Sequence, residues 1–202
     1  NAVDSLKFRN FLADFRVVFN EPNEKTLADW MIDVTSDFLD AAENALNLVR
    51  RTLVRPSGKR STKYYSRALI NAILMPVAQG RGKLIEGEYP LGVDRCDYAI
   101  KRSRGEGVLT LLKVETDQTA SSLIDKLPQL IVHVIAENIR HGISEPFVSF
   151  LLTGEIAFVI RIEGNHLAIT GPLRVINEHG VSRAYLNLLL CELDKAISWE
   201  GT

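Results

Sequence analysis

Apolar side chains recur every three or four positions in two stretches of the N-terminal half, a pattern typical of helices that cover a core. The first stretch covers residues 26–50, with Thr26 as a candidate N-cap. Its apolar positions are Leu27, Trp30, Met31, Val34, Phe38, Ala41, Ala42, Ala45, Leu46 and Val49. The second stretch covers residues 63–79 and ends near Pro76 and Gly80. We therefore predict two consecutive helices.

After residue 80 the apolar pattern changes to a strand-like period. Residues 84–90 alternate weakly, and residues 94–101 and 108–116 alternate or run apolar. The stretch between the last two segments is short and rich in glycine, which predicts a hairpin. This part of the chain is therefore expected to form three strands.

The C-terminal half continues with a helix, several strands and a last helix. Ser121 and Ser122 are candidate caps of a helix that runs to about Arg140, with Pro128 tolerated only near its first turn. Apolar runs punctuated by glycine predict strands over 147–153, 156–163, 167–170 and 173–176. Ser182 is expected to cap a helix that runs to Trp199. The whole pattern predicts the α+β class, with a mixed sheet flanked by helices and a helical N-terminal extension.

The composition is that of an ordinary globular domain: 202 residues, of which 46% are hydrophobic and 24% charged. It excludes disordered, collagen-like and disulfide-stabilised chains. Cys96 and Cys191 lie within apolar runs, so we expect buried thiols and an intracellular, reducing compartment. No apolar stretch reaches the roughly 18 residues of a membrane span, so no membrane partner is expected. The chain begins at Asn1 without a signal-like segment, and we expect its targeting segment to be absent.

Charge is distributed unevenly, although 24 Lys and Arg nearly balance 25 Asp and Glu. The first 49 residues hold nine acids and four bases. A loop with six cations and no acid follows: Arg50, Arg51, Arg55, Lys59, Arg60 and Lys63. Clustered cations release counterions from a nucleic-acid backbone, so we predict that this loop binds nucleic acid. The alternatives are a solvated linker and, for Arg50 and Arg51, stabilisation of a helix C-terminus.

Two of the predicted strands carry charged side chains that can meet. Alternate residues of a strand share a face, so Lys113 and Glu115 point the same way. A three-residue hairpin loop at 105–107 would pair Asp97 with Glu115 and Ala99 with Lys113. Facing carboxylates destabilise a ladder by a few tenths to about 1 kcal/mol unless a cation neutralises them, and Mg²⁺ suits such oxygen ligands. A hairpin with ordinary surface charges is the alternative.

This arrangement resembles the core of the PD-(D/E)XK phosphodiesterase superfamily, the restriction-endonuclease-like fold. In that superfamily an Asp on one strand and a Glu-x-Lys on the next bind the metal. Asp97 matches the first element and Glu115 the Glu of the second, while residues 128–134 resemble the family's Gln-Leu helix. The match covers roughly residues 63–176. The resemblance implies metal-dependent cleavage of nucleic acid with Mg²⁺ or Mn²⁺ as cofactor, and with Asp97, Glu115, Lys113 and Gln129 in catalytic roles.

The sequence departs from the family pattern at one position. Asp117 stands where the motif has its lysine. It could ligate a metal together with Asp97 and Glu115, but it cannot supply the positive charge. Lys113 is expected to replace the lysine. Glu86 and Glu88 are candidates for the family's additional upstream acid, or else solvated side chains.

The departure leaves alternatives open. If the site is inactive, the chain is a catalytically degenerate nuclease-fold module that binds nucleic acid or a host protein. A structural interaction module without metal is the third reading. On the resemblance, residues 63–202 form the PD-(D/E)XK-like domain, and residues 1–62 form a helical extension with the basic loop. The sequence carries no prediction of the oligomeric state.

A narrower resemblance is to the C-terminal domains of Crinkler-type secreted effectors of oomycetes and fungi, which act inside host cells, often in the nucleus. It implies an effector or toxin role and a host nuclear location after secretion. The acidic N-terminal helices would then offer a surface for a host protein.

Overall fold

The computed structural model of the chain describes residues 13–29, 36–53, 62–91, 94–102, 107–116, 119–141 and 146–198. Within these ranges the helices are α1 (Glu24–Asp29), α2 (Ser36–Thr52), α3 (Lys63–Gly80), α4 (Ala120–Ile124), α5 (Leu127–His141) and α6 (Arg183–Ser198). The strands are β1 (Arg16–Asn20), β2 (Leu84–Leu91), β3 (Asp94–Lys101), β4 (Val108–Val114), β5 (Phe147–Leu152), β6 (Ile156–Glu163), β7 (His166–Arg174), β8 (Ile176–Asn177) and β9 (Gly180–Val181).

Seven of these strands form one mixed sheet in the order β1-β7-β6-β5-β4-β3-β2. The pairs β1 with β7 and β4 with β5 are parallel, and the other neighbours are antiparallel. Strands β8 and β9 form a separate two-stranded ribbon. The predicted α+β class, a mixed sheet flanked by helices, is therefore confirmed.

Each face of the sheet is covered by its own hydrophobic cluster. One cluster packs α2, α3 and α6 onto the sheet and includes Leu46, Leu69, Phe150 and Leu190. The other packs α4 and α5 onto the sheet and includes Leu123, Leu130, Ile131, Phe158 and Ile160. Strands between two apolar layers are buried on both faces, as all six residues of β5 are.

Strand β1 at the edge of the sheet was not predicted from the sequence. It is five residues long and pairs in parallel with β7, where Arg16 lies opposite His166. Four of its five residues are exposed, Val18 and Phe19 among them, so its sequence shows no buried alternation. Tertiary pairing with β7, rather than local pattern, makes this segment a strand.

The predicted N-terminal helix is present as α1 and α2, and residues 30–35 between them lie outside the described ranges. Asn23, not Thr26, caps α1, because its Oδ1 accepts the Lys25 N–H at 2.9 Å. Helix α2 packs against α3 and α6. The division between residues 62 and 63 stays a prediction, and segments on both sides of it share one sheet and one core.

The β3–β4 hairpin differs from the predicted register. Ala99 pairs with Leu111, and Lys101 pairs with Val108 across a local irregularity. The predicted pairing of Ala99 with Lys113, and of Asp97 with Glu115, is therefore wrong by two residues. The connection spans 102–107 rather than three residues. Since a shift by two keeps each side chain on its face, Lys113 rather than Glu115 lies next to Asp97.

The start of α3 is capped by Thr62, and Gly154 lets the helix pack close to the sheet. Thr62 Oγ1 accepts the Tyr65 N–H at 3.2 Å, which satisfies one of the free donors of the helix start. Gly154 has a φ of +89°, and a Cβ there would lie 2.6 Å from the Cβ of Leu69. This close approach places α3 directly over the turn between β5 and β6.

Both cysteines are free and buried. Burial raises the pKa of the Cys96 thiol to about 11, so this thiol stays protonated near neutral pH. Among the helices in the described ranges, none has both the length and the apolar character needed to cross a membrane.

Candidate functional site

Asp97 is a buried carboxylate surrounded by cations, with only 2% of its side chain exposed. Lys63 Nζ lies 2.7 Å from its Oδ1, and Arg67 Nη2 lies 3.1 Å from the same oxygen. Lys113 Nζ lies 3.7 Å from its Oδ2, which also accepts the Val114 N–H at 2.9 Å. Three cations and one main-chain donor therefore neutralise this one acid.

Two elements bring the cations to Asp97. Lys63 and Arg67 are four residues apart at the start of α3, so they lie on the same helix face. Lys113 comes from β4, beside the point where the described β3–β4 ladder ends. Just beyond that ladder, the Asp97 carboxylate accepts a hydrogen bond from the Val114 N–H. If the ladder continued, a main-chain carbonyl of β3 would accept this hydrogen instead. The pairing of β3 with β4 therefore ends at this acid.

The two acids of the predicted site have pKa values shifted in opposite directions. Burial by itself would raise the pKa of the Asp97 carboxyl, but hydrogen bonds from Lys63 and Val114 and the charge of Lys113 hold it below its ordinary value. Burial raises the pKa of Glu115, and the charge of Lys113 opposes that rise only in part. Opposed shifts in neighbouring carboxyls are a feature of acid–base sites, although structural ion pairs also produce them.

A second acid also accepts a hydrogen bond from Arg67. Arg67 Nη2 donates to Glu88 Oε1 as well as to Asp97. Glu88 has a φ of 54°, in the left-handed region that non-glycine residues seldom adopt. Its neighbours on β2 pair regularly with β3, so Glu88 stands opposite Asp97. The guanidinium therefore joins an exposed acid on β2 to the buried acid on β3.

The structure brings together three of the four residues predicted to be catalytic. Asp97 in the middle of β3 lies beside Lys113 near the C-terminal end of β4, and Glu115 is the residue after β4. Gln129 is exposed in the first turn of α5, and its part in the site stays a prediction. Asp117 lies outside the described residues, so its predicted role as a metal ligand also stays a prediction.

The cations predicted to bind nucleic acid fall into three groups. Lys63 joins the Asp97 cluster, while Arg50 and Arg51 lie in the last turn of α2. Arg55, Lys59 and Arg60 lie outside the described residues. The predicted role of all six in binding phosphate stays a prediction.

Sequence reasoning missed Arg67 and assigned the upstream acids only in part. The signal for Arg67 was its spacing of four from Lys63 on a predicted helix. Glu86 pairs with Lys101, whose Nζ lies 2.6 Å from its Oε2. Glu88 pairs with Arg67. Both upstream acids therefore neutralise cations of this chain.

Mg²⁺ fits this set of donors poorly. A carboxylate oxygen has two lone pairs, and Oδ1 of Asp97 already accepts from two cations. Mg²⁺ needs ligand oxygens at about 2.0–2.1 Å, a position beside the Lys63 ammonium. Among the residues that the structure describes, no three His, Cys, Asp or Glu side chains come together as metal ligands. In this arrangement Asp97 binds the chain's own cations.

The unsatisfied polar atom of the cluster is a hydrogen-bond donor. Arg67 Nε is buried, and no described residue accepts its hydrogen. An acceptor oxygen would satisfy this group, whereas a metal ion would not. The cluster is therefore better suited to an anion than to a further cation.

Comparison with known proteins adds one structural similarity. No protein-family model matches the sequence, and no curated protein matches it. The chain is similar to the type IIG restriction endonuclease BpuSI, with 18% sequence identity and a TM-score of 0.46. The matched region covers 94% of this chain and 19% of that enzyme, so the chain spans about a fifth of its length.

Proposed function

We propose that this domain binds the phosphate backbone of a nucleic acid through Lys63, Arg67 and the basic loop that precedes them. The observation that supports this most directly is the convergence of three cations on one buried acid. Lys63 keeps 51% of its side chain exposed and Arg67 keeps 32%, so both remain accessible to a ligand. Lysine and arginine side chains are among the groups that contact the phosphate oxygens of nucleic acids.

Asp97 has a positioning role in this proposal. A free lysine or arginine side chain loses rotamer entropy when it is held in one place to meet a ligand. The buried carboxylate already holds Lys63 and Arg67 in fixed positions, so less of that entropy is lost on binding. Lys63 is the last of the six cations predicted to bind phosphate, and the other five precede it in the sequence between residues 50 and 60.

An exposed aromatic ring lies next to Lys63 in the same helical turn. Tyr64 is 72% exposed, unlike its neighbour Tyr65, which is buried in the core. Unpaired bases stack on such rings, at about 1–3 kcal/mol for each base. The proposal therefore favours single-stranded nucleic acid, whose bases can reach the ring.

Fluorescence anisotropy with labelled single-stranded and duplex oligonucleotides, in EDTA and about 50 mM salt, tests the proposal. We expect binding, a preference for single strands, and weaker binding by Tyr64→Ala. Phe19→Ala is the matched control, because Phe19 is an exposed aromatic residue on the opposite edge strand of the sheet. A wild-type chain that binds neither oligonucleotide under these conditions would overturn the proposal.

A second candidate function is metal-dependent phosphodiester cleavage, which would require Lys63 and Arg67 to leave Asp97. The opposed pKa shifts of Asp97 and Glu115, with Lys113 between them, favour this candidate. Incubation of plasmid with Mg²⁺ or Mn²⁺, in parallel with Glu115→Ala, is the test. If the wild type is as inert as the variant, this candidate is removed.

An effector role, a host nuclear location and a host protein partner are further proposals that rest on the Crinkler-type resemblance. On the acidic helices, Asp40 and Glu43 both pair with Arg183 of α6. A host protein would therefore bind acids other than these two. Imaging of the fluorescently tagged chain in host cells tests the location, and exclusion from the nucleus would contradict it.

A further inference from the structure

Lys63 and Arg67 both lie at Oδ1 of Asp97, one of the two carboxylate oxygens that could bind a divalent ion. We infer that these two side chains take the place of a divalent cation at Asp97 and keep such an ion out of the site. The inference rests on the proposed function, because it explains how a nuclease-like site could bind phosphate without a metal.

The oxygens of Asp97 already accept hydrogen bonds from the protein. Oδ1 of Asp97 accepts from Lys63 at 2.7 Å and from Arg67 at 3.1 Å, which uses both of its lone pairs. Oδ2 accepts the Val114 N–H at 2.9 Å. A metal ion that binds Oδ1 would have to displace Lys63 or Arg67, and one that binds Oδ2 would lie beside the Lys113 ammonium, 3.7 Å from that oxygen.

The charge around Asp97 also opposes the binding of a divalent ion. Lys63, Arg67 and Lys113 carry three positive charges within 3.7 Å of the Asp97 carboxylate. Repulsion between charges a few ångströms apart is strong where water is largely excluded, as it is around this carboxylate. A divalent ion at this carboxylate would therefore be repelled by three cations at close range and attracted by one buried acid.

Glu88 fixes Arg67 in place. Glu88 accepts from Arg67 Nη2 while it adopts a left-handed backbone conformation. Such conformations persist where the surrounding structure requires them, and they cluster at functional sites. We assign Glu88 as a positioning residue that holds the guanidinium against Asp97.

The test measures Mn²⁺ binding to the full chain by isothermal titration calorimetry and by the loss of the free-ion electron paramagnetic resonance signal. Lys63→Gln and Arg67→Gln each remove one positive charge and leave a shorter, polar side chain in its place. We expect each variant to bind Mn²⁺ more tightly than the wild type, and the double variant to bind at least about tenfold more tightly. Adding Asp97→Asn to the double variant should return the affinity to the wild-type level.

Lys195→Gln is the matched control, since Lys195 is a half-exposed lysine on α6 that pairs with Glu192. It should leave Mn²⁺ affinity unchanged. Glu88→Gln, which frees Arg67, should raise Mn²⁺ affinity by less than Arg67→Gln does.

Two results would overturn the inference. One is a wild-type chain that binds Mn²⁺ as tightly as the double variant. The other is that neither single variant gains affinity, and this result decides the question even if the double variant does not fold. Failure of the proposed function is distinguishable, because it is measured separately as the absence of oligonucleotide binding by the wild type in EDTA.

Discussion

The ammonium of Lys63 lies 2.7 Å from Oδ1 of Asp97, and this pair joins the first turn of α3 to β3. Half of the lysine side chain is in solvent, whereas the aspartate is buried. The two partners therefore contribute unequally to the stability of the fold. An exposed lysine that loses its partner is solvated by water, but a buried acid that loses its partners keeps an uncompensated charge.

Removal of Asp97 should therefore destabilise the fold far more than removal of an acid at the rim. We expect Asp97→Ala to lower the free energy of unfolding by about 3 kcal/mol, because it leaves the Lys113 ammonium, whose side chain is only 17% exposed, and the buried Val114 N–H without their acceptor. Urea denaturation monitored by circular dichroism measures the change. Glu88→Gln is the control, and it should cost less than about 1 kcal/mol since Glu88 is exposed. Equal losses for the two variants would contradict the central place of Asp97.

Acid should remove the stability that Asp97 provides. Its neighbours hold the pKa of Asp97 below the ordinary value of 3.8, so the folded chain binds this proton less tightly than the unfolded chain. The contribution is therefore fully present above that value and is lost as the pH falls through the lowered one. We expect the difference in free energy of unfolding between wild type and Asp97→Asn to be constant near neutral pH and to shrink below about pH 4. A difference that grows in acid would contradict this.

Glu115 should show the opposite dependence. Burial raises its pKa above the ordinary 4.5, so the folded chain binds this proton more tightly than the unfolded chain. Stability from this group is present below pH 4.5 and is lost as the pH rises through the raised value. The change in the free energy of unfolding that Glu115→Gln causes should therefore be more stabilising at pH 7 than at pH 4. Urea titrations at the two pH values decide it, and a larger loss at pH 7 would show that the ionised Glu115 is stabilising.

Lys63 should account for about one phosphate contact. We expect Lys63→Ala to weaken binding of all oligonucleotide sequences alike and to reduce the slope of log K against log salt by about 1. Anisotropy titrations between about 50 and 200 mM salt give that slope.

The matched control for this titration is Lys195→Ala. Arg81 at the end of α3 pairs with Asp194 at 2.6 Å, so Lys195 lies near the end of α3 that is remote from Lys63. The eighteen residues of α3 separate the two ends by about 27 Å. Equal slopes for the two variants would show that Lys63 does not contact phosphate.

Gly154 should tolerate no side chain. We expect Gly154→Ala to lower the free energy of unfolding by about 3 kcal/mol, because its φ of +89° disfavours a Cβ and that Cβ would meet Leu69 at 2.6 Å. Gly82→Ala separates the two causes, since Gly82 has a φ of +61° but nothing within 4 Å of a Cβ. Thermal unfolding of both variants measures the difference. Similar losses would mean that contact with α3 contributes nothing.

Local pattern predicted most elements of the sheet but not their pairing. The predicted strands at 94–101 and 156–163 coincide with β3 and β6. Two strands were predicted over 167–170 and 173–176, because Gly171 and Pro172 have the composition of a turn, but β7 runs through both residues from His166 to Arg174. The register of the β3–β4 hairpin was missed because an irregularity next to Lys101 and a longer connection alter it.

The sequence by itself determined that Asp97 and Lys113 stand on neighbouring strands, with Glu115 near the end of the second, because alternation along a strand and the order of elements are local properties. Only the tertiary structure decided what neutralises Asp97. A buried acid carries the same sequence signal whether a metal ion or an ammonium group lies beside it. Lys63 and Arg67 reach it from a helix some thirty residues away, and the position of that helix depends on the packing of Leu69 over Gly154. Such non-local packing is not encoded in any short stretch of sequence.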